Sequence, residues 1–433
     1  MSKKIVLKKA TRIEGNANVE IQVENGRIES ARFLVYDFRG FEKFMQGRKA
    51  EHIPSIVSRI CGLCSAAHQV ASFKAIENAL GVEVSRAVYL LREIMVLGEW
   101  ISSHALSYFY LAMPDFVGAT GGIFELMQNH PEVAKEAYTL RSDGQQIVKL
   151  LGKRATHPIS LGIGKFLIPP TADDLKSIRD IALKVKNKTA EMIKNAGQLY
   201  IPGSEISFPR DQQINLLSYD GLSNTNRFNV HDQKGNMVDN FTGDEFSDNI
   251  SEIHVEWSFA KFPYLTRYGF PDGILLVGPL ARALLEWGPL NDPEIKKFDL
   301  AQRLLDNKVL TLESFDSCRL LEIFWAAKRI LTLLEEVSLD NLNTEVDSDA
   351  SGKGMGVLEA PRGTLMHSYT IKDGCLNKAR MLVATQFNNA FINLIIRDLA
   401  EKHLEKDQIS AKGEWLIGRC IRLFDPCLSC ATH

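Results

Sequence analysis

The sequence predicts a mainly α-helical protein, built around a helical bundle, with small β elements near its N-terminus and in a mid-chain insertion. Helical periodicity dominates residues 72–200 and 257–403. Alternating apolar residues on both sides of Asn25-Gly26 predict a β-hairpin from Asn18 to Tyr36. Between the two helical parts, a stretch rich in Asn, Asp, Gly and Ser predicts loops and short strands.

Each element has its own signal, and we interpret residues 1–433 as one large domain. Residues 1–70 hold the hairpin and a first Cys-x-x-Cys pair. Ser85 is a candidate N-cap in the helical segment 72–200. The loop and β insertion covers residues 201–256. The second helical segment, 257–403, is expected to end in a helix from Leu376 to His403. Residues 404–433 form a C-terminal segment with a second Cys-x-x-Cys pair.

Composition excludes some classes of function. A net charge of −2 argues against a nucleic-acid-binding surface, which is normally basic. We find no signal peptide, and the most apolar stretch, residues 273–288, is interrupted by proline and charged residues, so we expect no membrane span. The expected location is the cytoplasm, or export only together with a partner.

Two cysteine pairs stand at opposite ends of the chain, Cys61-Gly-Leu-Cys64 and Cys427-Leu-Ser-Cys430. Four thiolates select a soft or borderline metal, such as zinc, nickel or an iron–sulfur cluster. Structural zinc remains an alternative, but zinc ribbons keep their pairs ~15–20 residues apart. A site that joins both ends of a large fold favours a functional metal centre.

The other cysteines show no such pattern. They are isolated, and their ordinary role is that of small buried apolar residues: Cys318, Cys375 and Cys420. They do not form a ferredoxin-like run. We therefore expect no iron–sulfur cluster in this chain.

The residues around the two pairs resemble the signature motifs of the large, catalytic subunit of nickel–iron hydrogenases. Five blocks in the family's order carry the resemblance: Thr11–Gly15, Arg39–Glu42, Arg59–His68, Glu359–Gly363 and Asp425–His433. The resemblance implies a large-subunit-like fold. It also implies reversible heterolytic cleavage of dihydrogen, with electrons passed to a partner.

The resemblance assigns a role to each paired cysteine. Cys61 and Cys427 would be terminal thiolates on nickel. Cys64 and Cys430 would bridge nickel to an iron that carries cyanide and carbon monoxide ligands. This nickel–iron centre is the cofactor that the resemblance implies.

Three further residues would act beside the metals. Glu14 would relay the proton, although a lone glutamate in such a turn is more often a surface charge. Arg362 would place its guanidinium over the open metal position, although a structural ion pair is the ordinary role of such an arginine. Pro361 would fix the loop that aims Arg362, and Asp425 could support the guanidinium.

Four more residues complete the implied set. His68 would hydrogen-bond a bridging sulfur, and a core histidine with a backbone partner is an equally good reading of this residue. Thr385 would offer its hydroxyl to a cyanide. Glu42 and His433 would bind a second cation, Mg²⁺ or Fe²⁺, near the C-terminus.

Two departures from the family pattern point to its soluble, cofactor-reducing branch. Asn16 stands where many relatives have histidine, and Ser103 stands where membrane-bound relatives have aspartate. The implied partners are an iron–sulfur small subunit that contacts the region of Cys61 and Glu14, and further subunits that use pyridine nucleotide and flavin, deazaflavin, ferredoxin or a disulfide. Metal-insertion proteins and a maturation protease that cuts after His433 are also implied.

Two alternatives stay open on the sequence alone. The first is a non-catalytic relative similar to the quinone-site subunit of respiratory complex I, and the four cysteines argue against it because that subunit has lost them. The second is an interaction protein held together by structural zinc.

Overall fold

The computed structural model describes residues 3–7, 10–119, 122–196, 206–209, 214–221, 227–283, 285, 287–306, 311–312, 314–347 and 349–433. The helices in chain order are α1 (Phe41–Phe44), α2 (Ile53–Val57), α3 (Ser65–Leu80), α4 (Arg86–Ala105), α5 (Met113–Phe116), α6 (Ile123–Asn129), α7 (Pro131–Gly152), α8 (Ala172–Ala196), α9 (Phe246–Asn249), α10 (Pro279–Arg282), α11 (Asp299–Asp306), α12 (Ser314–Glu336), α13 (Ala384–Lys402), α14 (Ala411–Leu423) and α15 (Leu428–Ala431). A π-helical stretch, Leu106–Ala112, continues α4 into α5. None of the described helices is long and apolar enough to span a lipid bilayer.

The strands form several small sheets. The first sheet has the order β1-β2-β3 (Lys3–Leu7, Ala17–Glu24, Arg27–Val35), and a short hairpin follows in β4 and β5 (Leu161–Gly162, Lys165–Phe166). The mid-chain region holds β6, β7 and β8 (Asn215–Asp220, Arg227–His231, Met237–Thr242), the pair β9 and β10 (Ile250–Val255, Ser258–Leu265), and β11 (Leu275–Leu276), which is parallel to β6. The last strands are β12, β13 and β14 (Gly352–Ala360, Gly363–Lys372, Cys375–Leu382) and the pair β15 and β16 (Leu404–Glu405, Gln408–Ile409).

Several predicted elements are present. The predicted hairpin consists of β2 and β3, and β1 extends it to three antiparallel strands. The Ser85 hydroxyl accepts a hydrogen bond from the Val88 N–H at 3.3 Å, so Ser85 caps α4 as expected. Described residues between 201 and 256 form strands and loops as expected, and also the short helix α9, which was not predicted. The predicted positions in 197–205, 210–213 and 222–226 lie outside the described residues. That residues 1–433 form a single catalytic domain remains a prediction.

The second helical segment is where the prediction is wrong. Residues 352–382, within the predicted helical range 257–403, form the antiparallel sheet β12-β13-β14. The helix expected from Leu376 begins instead at Ala384, because Leu376 to Leu382 pair with β13. The turn that enforces this is Asp373-Gly374, where both residues have positive φ (49° and 71°). Such a pair favours a tight hairpin.

The fold brings the two ends of the chain together. One contiguous buried apolar cluster includes Ile21 of β2, Ala67 of α3, Phe391 of α13 and Leu428 of α15. Glu14, in the segment after β1, pairs in parallel with Cys427, and the Leu428 N–H donates to the Glu14 carbonyl at 3.1 Å. The segment just before β2 therefore lies directly against the C-terminal cysteine segment.

Candidate metal centre

The four paired cysteines converge in the interior. Their sulfur atoms all lie within 4.8 Å of one another, and all four residues are buried. The Cys61 and Cys427 sulfurs are 3.3 Å apart, and those of Cys64 and Cys430 are 3.4 Å apart. Within the described part of the chain, this is the one such group of three or more potential metal ligands. Both Cys-x-x-Cys pairs therefore belong to one site.

The cluster has the chemistry of a metal site. Burial raises the pKa of Cys427 and of Cys430, whereas hydrogen bonds from neighbouring thiols, Cys427 first, hold the pKa of Cys61 well below its usual range. Four thiolates this close cannot coexist in a buried space without a compensating cation. A bound metal removes the thiol protons and supplies that charge. The donor set therefore fits a soft, positively charged metal centre.

Local structure fixes the position of each pair. Cys64 is the residue immediately before α3, and Cys427 is the residue immediately before α15. Gly15 makes the close approach of the two chain ends possible. Its φ is +89°, and a Cβ atom there would lie 2.8 Å from the Leu428 Cβ.

Glu14 lies at the start of α15, beside the cluster. Its carboxylate accepts a hydrogen bond from the Ser429 N–H at 3.0 Å and one from the Ser429 hydroxyl. Glu14 is half-buried, and its carboxylate contacts Ser429, which stands between Cys427 and Cys430 in the chain. Ser429 is not among the predicted site residues, although its position inside the second Cys-x-x-Cys pair is a usable signal.

Arg362 lies on another side of the cluster and is buried. Its Nε donates to the Asp425 carbonyl at 2.7 Å and its Nη2 to the Asp425 carboxylate at 3.0 Å, while Nη1 lies 3.4 Å from the Ser103 hydroxyl. Burial alone would lower the pKa of Arg362, but Asp425 and the thiolates of Cys427 and Cys61 raise it well above its usual value. The guanidinium therefore stays charged next to the sulfurs. Pro361 precedes it in the tight connection between β12 and β13.

A cavity of about 20 Å³ adjoins the sulfurs, and Arg362, His68 and Thr385 contribute to its lining. The Thr385 hydroxyl oxygen accepts from the Cys427 N–H at 2.9 Å. The His68 Nδ1 lies 3.1 Å from the His367 Nε2. Burial lowers the pKa of His68 to about 4, so its imidazole is neutral at pH 7. His68 thus has a side-chain partner rather than the backbone partner of an ordinary core histidine.

Glu42 and His433 meet at the C-terminus. The His433 Nε2 lies 3.5 Å from the Glu42 carboxylate, and the His433 Nδ1 is hydrogen-bonded to the Cys430 carbonyl at 2.6 Å. Burial alone would raise the pKa of Glu42, but His433 and Lys261 lower it. The anionic carboxylate and the Nε2 atom could both serve a hard cation, with Lys261 3.7 Å away as a competing positive charge.

The structure adds buried charges that the sequence motifs did not reveal. The Glu99 carboxylate accepts from the N–H groups of Ala66 and Ala67 at 2.8 and 3.0 Å, at the start of α3, and burial raises its pKa to about 8. Arg282, at the end of α10, lies beneath the Pro361 loop. The sequence offers one sign of Glu99 and Arg282: each is a charged residue inside a long apolar stretch.

Comparison of the sequence with known protein families agrees with this candidate site. A sequence model described as Nickel-dependent hydrogenase matches residues 39–154 and 212–433, more than half of the chain. A second model, described as HoxL-like, matches residues 4–38. The chain belongs to the nickel-dependent hydrogenase family. The resemblance seen in the sequence motifs is therefore confirmed.

Relatives and solved structures agree over nearly the whole length. One subunit of the F420-non-reducing hydrogenase from Methanothermobacter marburgensis is 33% identical over 455 residues, covering 99% of this chain and 94% of that protein. A vhu subunit of the F420-non-reducing hydrogenase from Methanocaldococcus jannaschii is 35% identical over 418 residues, covering 92% and 99%. The crystal structure of an NAD+-reducing NiFe-hydrogenase in its H2-reduced state has a TM-score of 0.89 at 28% identity, covering 100% and 99%. These likenesses confirm the predicted large-subunit fold and the class of enzyme, a hydrogenase.

Proposed function

We propose that this chain is the catalytic subunit of a nickel–iron hydrogenase that cleaves dihydrogen heterolytically and reversibly. The observation that carries the proposal is the convergence of four buried thiols from both chain ends within 4.8 Å, in a member of this family. The non-catalytic and zinc-stapled alternatives are not favoured. A non-catalytic relative would have no reason to keep all four thiols, and the family match over more than half of the chain argues against an interaction protein held together by zinc.

The thiols would hold the metals as the family pattern implies. Cys61 and Cys427 would be terminal ligands of nickel, and Cys64 and Cys430 would bridge nickel to an iron that carries cyanide and carbon monoxide. When bound, this centre supplies the redox-active, Lewis-acidic site at which dihydrogen is polarised. Because the four cysteines are buried, their sulfur atoms are shielded from water.

The chain's own residues would then move the proton and fix the charge. Glu14 would receive a proton leaving the sulfur cluster and pass it outward, since its carboxylate contacts Ser429 of the second cysteine pair and the residue is only half-buried. Arg362 would face the reacting position with a fixed positive charge, held by both hydrogen bonds to Asp425. Thr385 and His68 line the same small cavity and would orient the iron ligands and a bridging sulfur.

A second cation, Mg²⁺ or Fe²⁺, would be bound by Glu42 and His433. Support comes from the pairing of a carboxylate with an imidazole whose Nδ1 is already used by a carbonyl, which leaves Nε2 as a lone-pair donor. Such a cation would tie the last residue of the described chain to Glu42.

The electrons would leave through an iron–sulfur small subunit. Arg12, two residues before Glu14, is ion-paired with Asp115 of α5. The helix after α5 is α6, and its Phe124 and Met127 side chains are exposed. Gly122, the residue before α6, lies near Arg12, so these exposed apolar side chains suit an interface with that partner in the region of Glu14. The relatives are named as subunits of F420-non-reducing hydrogenases, and the structural neighbour is NAD+-reducing. These names favour a multi-subunit enzyme. We further propose that it is cytoplasmic and cofactor-reducing, and that metal-insertion proteins and a maturation protease assemble it.

Elemental analysis and infrared spectroscopy of the complex purified from its natural source test the proposal. We expect about one nickel per chain together with iron, and absorption bands in the cyanide and carbon monoxide stretching region. Zinc as the sole metal would refute the proposal. Bands that are absent from a nickel-containing preparation would contradict the assigned iron ligands while leaving the thiol site intact.

A further inference from the structure

Arg282 is a fully buried arginine with a complete set of acceptors. It is 0% exposed. Its Nε and Nη2 donate to the two oxygens of the Glu322 carboxylate at 2.8 and 2.7 Å, and its Nη1 donates to the Glu359 carboxylate at 2.9 Å. The last two N–H groups donate to the carbonyls of Ala360 and Pro361, each at 2.8 Å. Every one of the five N–H groups that a guanidinium carries is therefore used.

Two of these bonds hold the backbone directly before Arg362. The segment 359–361 is also fixed from its other end, because the Trp100 indole N–H donates to the Glu359 carbonyl at 3.0 Å. The Arg282 guanidinium lies over the same Trp100 ring, 4.2 Å from its centroid. The connection between β12 and β13 thus has little freedom to shift.

Residues at the start of α10 also restrict the position of the loop 359–363 by close packing. Gly278, the residue before α10, has φ +116°, and a Cβ atom there would lie 2.8 Å from the Arg362 carbonyl oxygen. A Cβ atom on Gly363 would lie 2.6 Å from the Val277 Cγ2. The loop is therefore both packed closely against residues 277–278 and hydrogen-bonded to Arg282.

We propose that Arg282 is a positioning residue for Arg362. By clamping the Ala360 and Pro361 carbonyls, it sets the direction in which the Arg362 guanidinium reaches the sulfur cluster. This inference rests on the role proposed above for Arg362 at the metal centre. It follows physically because a misplacement of about 1 Å in an active-site group can cost ~10²-fold in rate.

A purely structural role is the competing explanation, because any buried ion pair destabilises the fold when one partner is removed. The chain offers a matched control in Arg92. It is also buried, donates to both oxygens of the Glu77 carboxylate at 2.8 and 2.7 Å, and donates to the Gly162 carbonyl at 2.9 Å. It has no contact with the loop 359–363 among its hydrogen bonds.

The test compares Arg282→Lys with Arg92→Lys in the purified complex. Lysine keeps the charge but has three donors and no fork. In Arg282→Lys we expect normal nickel and iron content, turnover per nickel lowered about 10-fold or more, displaced cyanide and carbon monoxide bands, and hydrogen–deuterium exchange of the backbone amides in 359–364 accelerated at least about 10-fold. In Arg92→Lys we expect a lower unfolding temperature, with the turnover, the bands and the exchange of 359–364 unchanged.

A milder variant covers the case in which Arg282→Lys does not fold. Trp100→Phe removes one hydrogen bond to the same segment, and we expect the same changes at smaller size. The inference is overturned if turnover, bands and loop exchange are unchanged in a metal-loaded Arg282→Lys or Trp100→Phe enzyme, or if Arg92→Lys alters them equally. If instead the unmodified complex lacks nickel or dihydrogen turnover, the proposed function fails, which is a separate result.

Discussion

The two sides of the sulfur cluster are built differently. On one side, the half-buried Glu14 is held by a backbone N–H and a hydroxyl of Ser429, in a segment close to the surface. On the other, the buried Arg362 is held by Asp425 and backed by the fully buried Arg282–Glu322 pair. One side uses a few neutral donors, and the other uses a network of opposite charges.

The difference corresponds to what each side has to do. A group that relays protons must change its charge and communicate with the surface, so weak neutral partners suit it. A group that stabilises charge at the reacting position must not move or titrate, so burial among fixed counter-charges suits it. The proposed roles therefore predict that damage on the Glu14 side affects proton traffic, whereas damage on the Arg362 side affects turnover or stability.

The largest expected effect removes the centre that both sides share. Cys430→Ser replaces a sulfur that lies 2.7 Å from the Cys427 sulfur and 3.4 Å from the Cys64 sulfur. We expect loss of the nickel–iron centre and of all dihydrogen turnover, measured by elemental analysis and gas consumption. Cys420→Ser is the control, because this buried thiol lies outside the cluster. Normal activity in Cys430→Ser would contradict its bridging role.

The next effect separates the two sides. Glu14→Gln keeps the shape of the carboxylate but cannot accept a proton, so we expect exchange between D2 and solvent protons to slow by ~10²-fold or more, with unchanged nickel and iron. The readout is mass spectrometry of the gas phase. The exposed Glu51→Gln serves as control. An unchanged exchange rate would remove Glu14 from the proton path.

On the Arg362 side of the cluster, Arg362→Lys tests the fixed positive charge. Lysine cannot reproduce the fork that engages both the carbonyl and the carboxylate of Asp425. We expect turnover per nickel to fall by ~10²-fold, as for loss of one preorganised donor, while metal content stays normal. The measurement is dihydrogen oxidation with an artificial acceptor. Arg329→Lys, which changes an ion pair with Glu93 away from the site, should leave turnover unchanged.

The sequence identified the main residue on each side, but not the groups that hold it from behind. Both Cys-x-x-Cys pairs, Glu14 and Arg362 lie inside short motifs whose spacing carries the chemistry, so they could be found without the fold. Arg282 reaches Glu322 and Glu359 across 40 and 77 positions. No local pattern records such contacts, because they depend on which elements the fold places side by side.

The wrong prediction of helix for residues 352–382 has a different cause. Residues 352–382 contain enough apolar residues for a helix, and their pairing partners are invisible in a linear pattern. The turn Asp373-Gly374 was nevertheless a local hairpin signal, comparable to the Asn25-Gly26 turn that correctly predicted β2 and β3. If Asp373-Gly374 is interpreted as a hairpin turn in the same way as Asn25-Gly26, the predicted start of the last long helix moves close to Ala384.

The smallest expected effect concerns the stability of the charged side. Burial alone would raise the pKa of Glu322, but Arg282 lowers it to about 2, against 4.5 for an ordinary glutamate. Since the folded-state pKa is the lower one, the ionised carboxylate stabilises the fold fully above about pH 4.5, and this stabilisation is lost as the pH falls toward 2. Glu322→Gln should therefore lower the free energy of unfolding by about 3 kcal/mol near neutrality, and by progressively less on acidification.

Urea unfolding between pH 3 and pH 7 measures this dependence. Glu336→Gln is the matched control, because Glu336 also pairs with an arginine, Arg86 at 2.7 Å, but on the surface, where solvent screens the pair. We expect a small, nearly constant difference from the unmodified chain for the control, and a difference that narrows below pH 4.5 for Glu322→Gln. A constant difference in Glu322→Gln would mean that packing, and not the buried charge of Glu322, holds this side of the metal centre rigid.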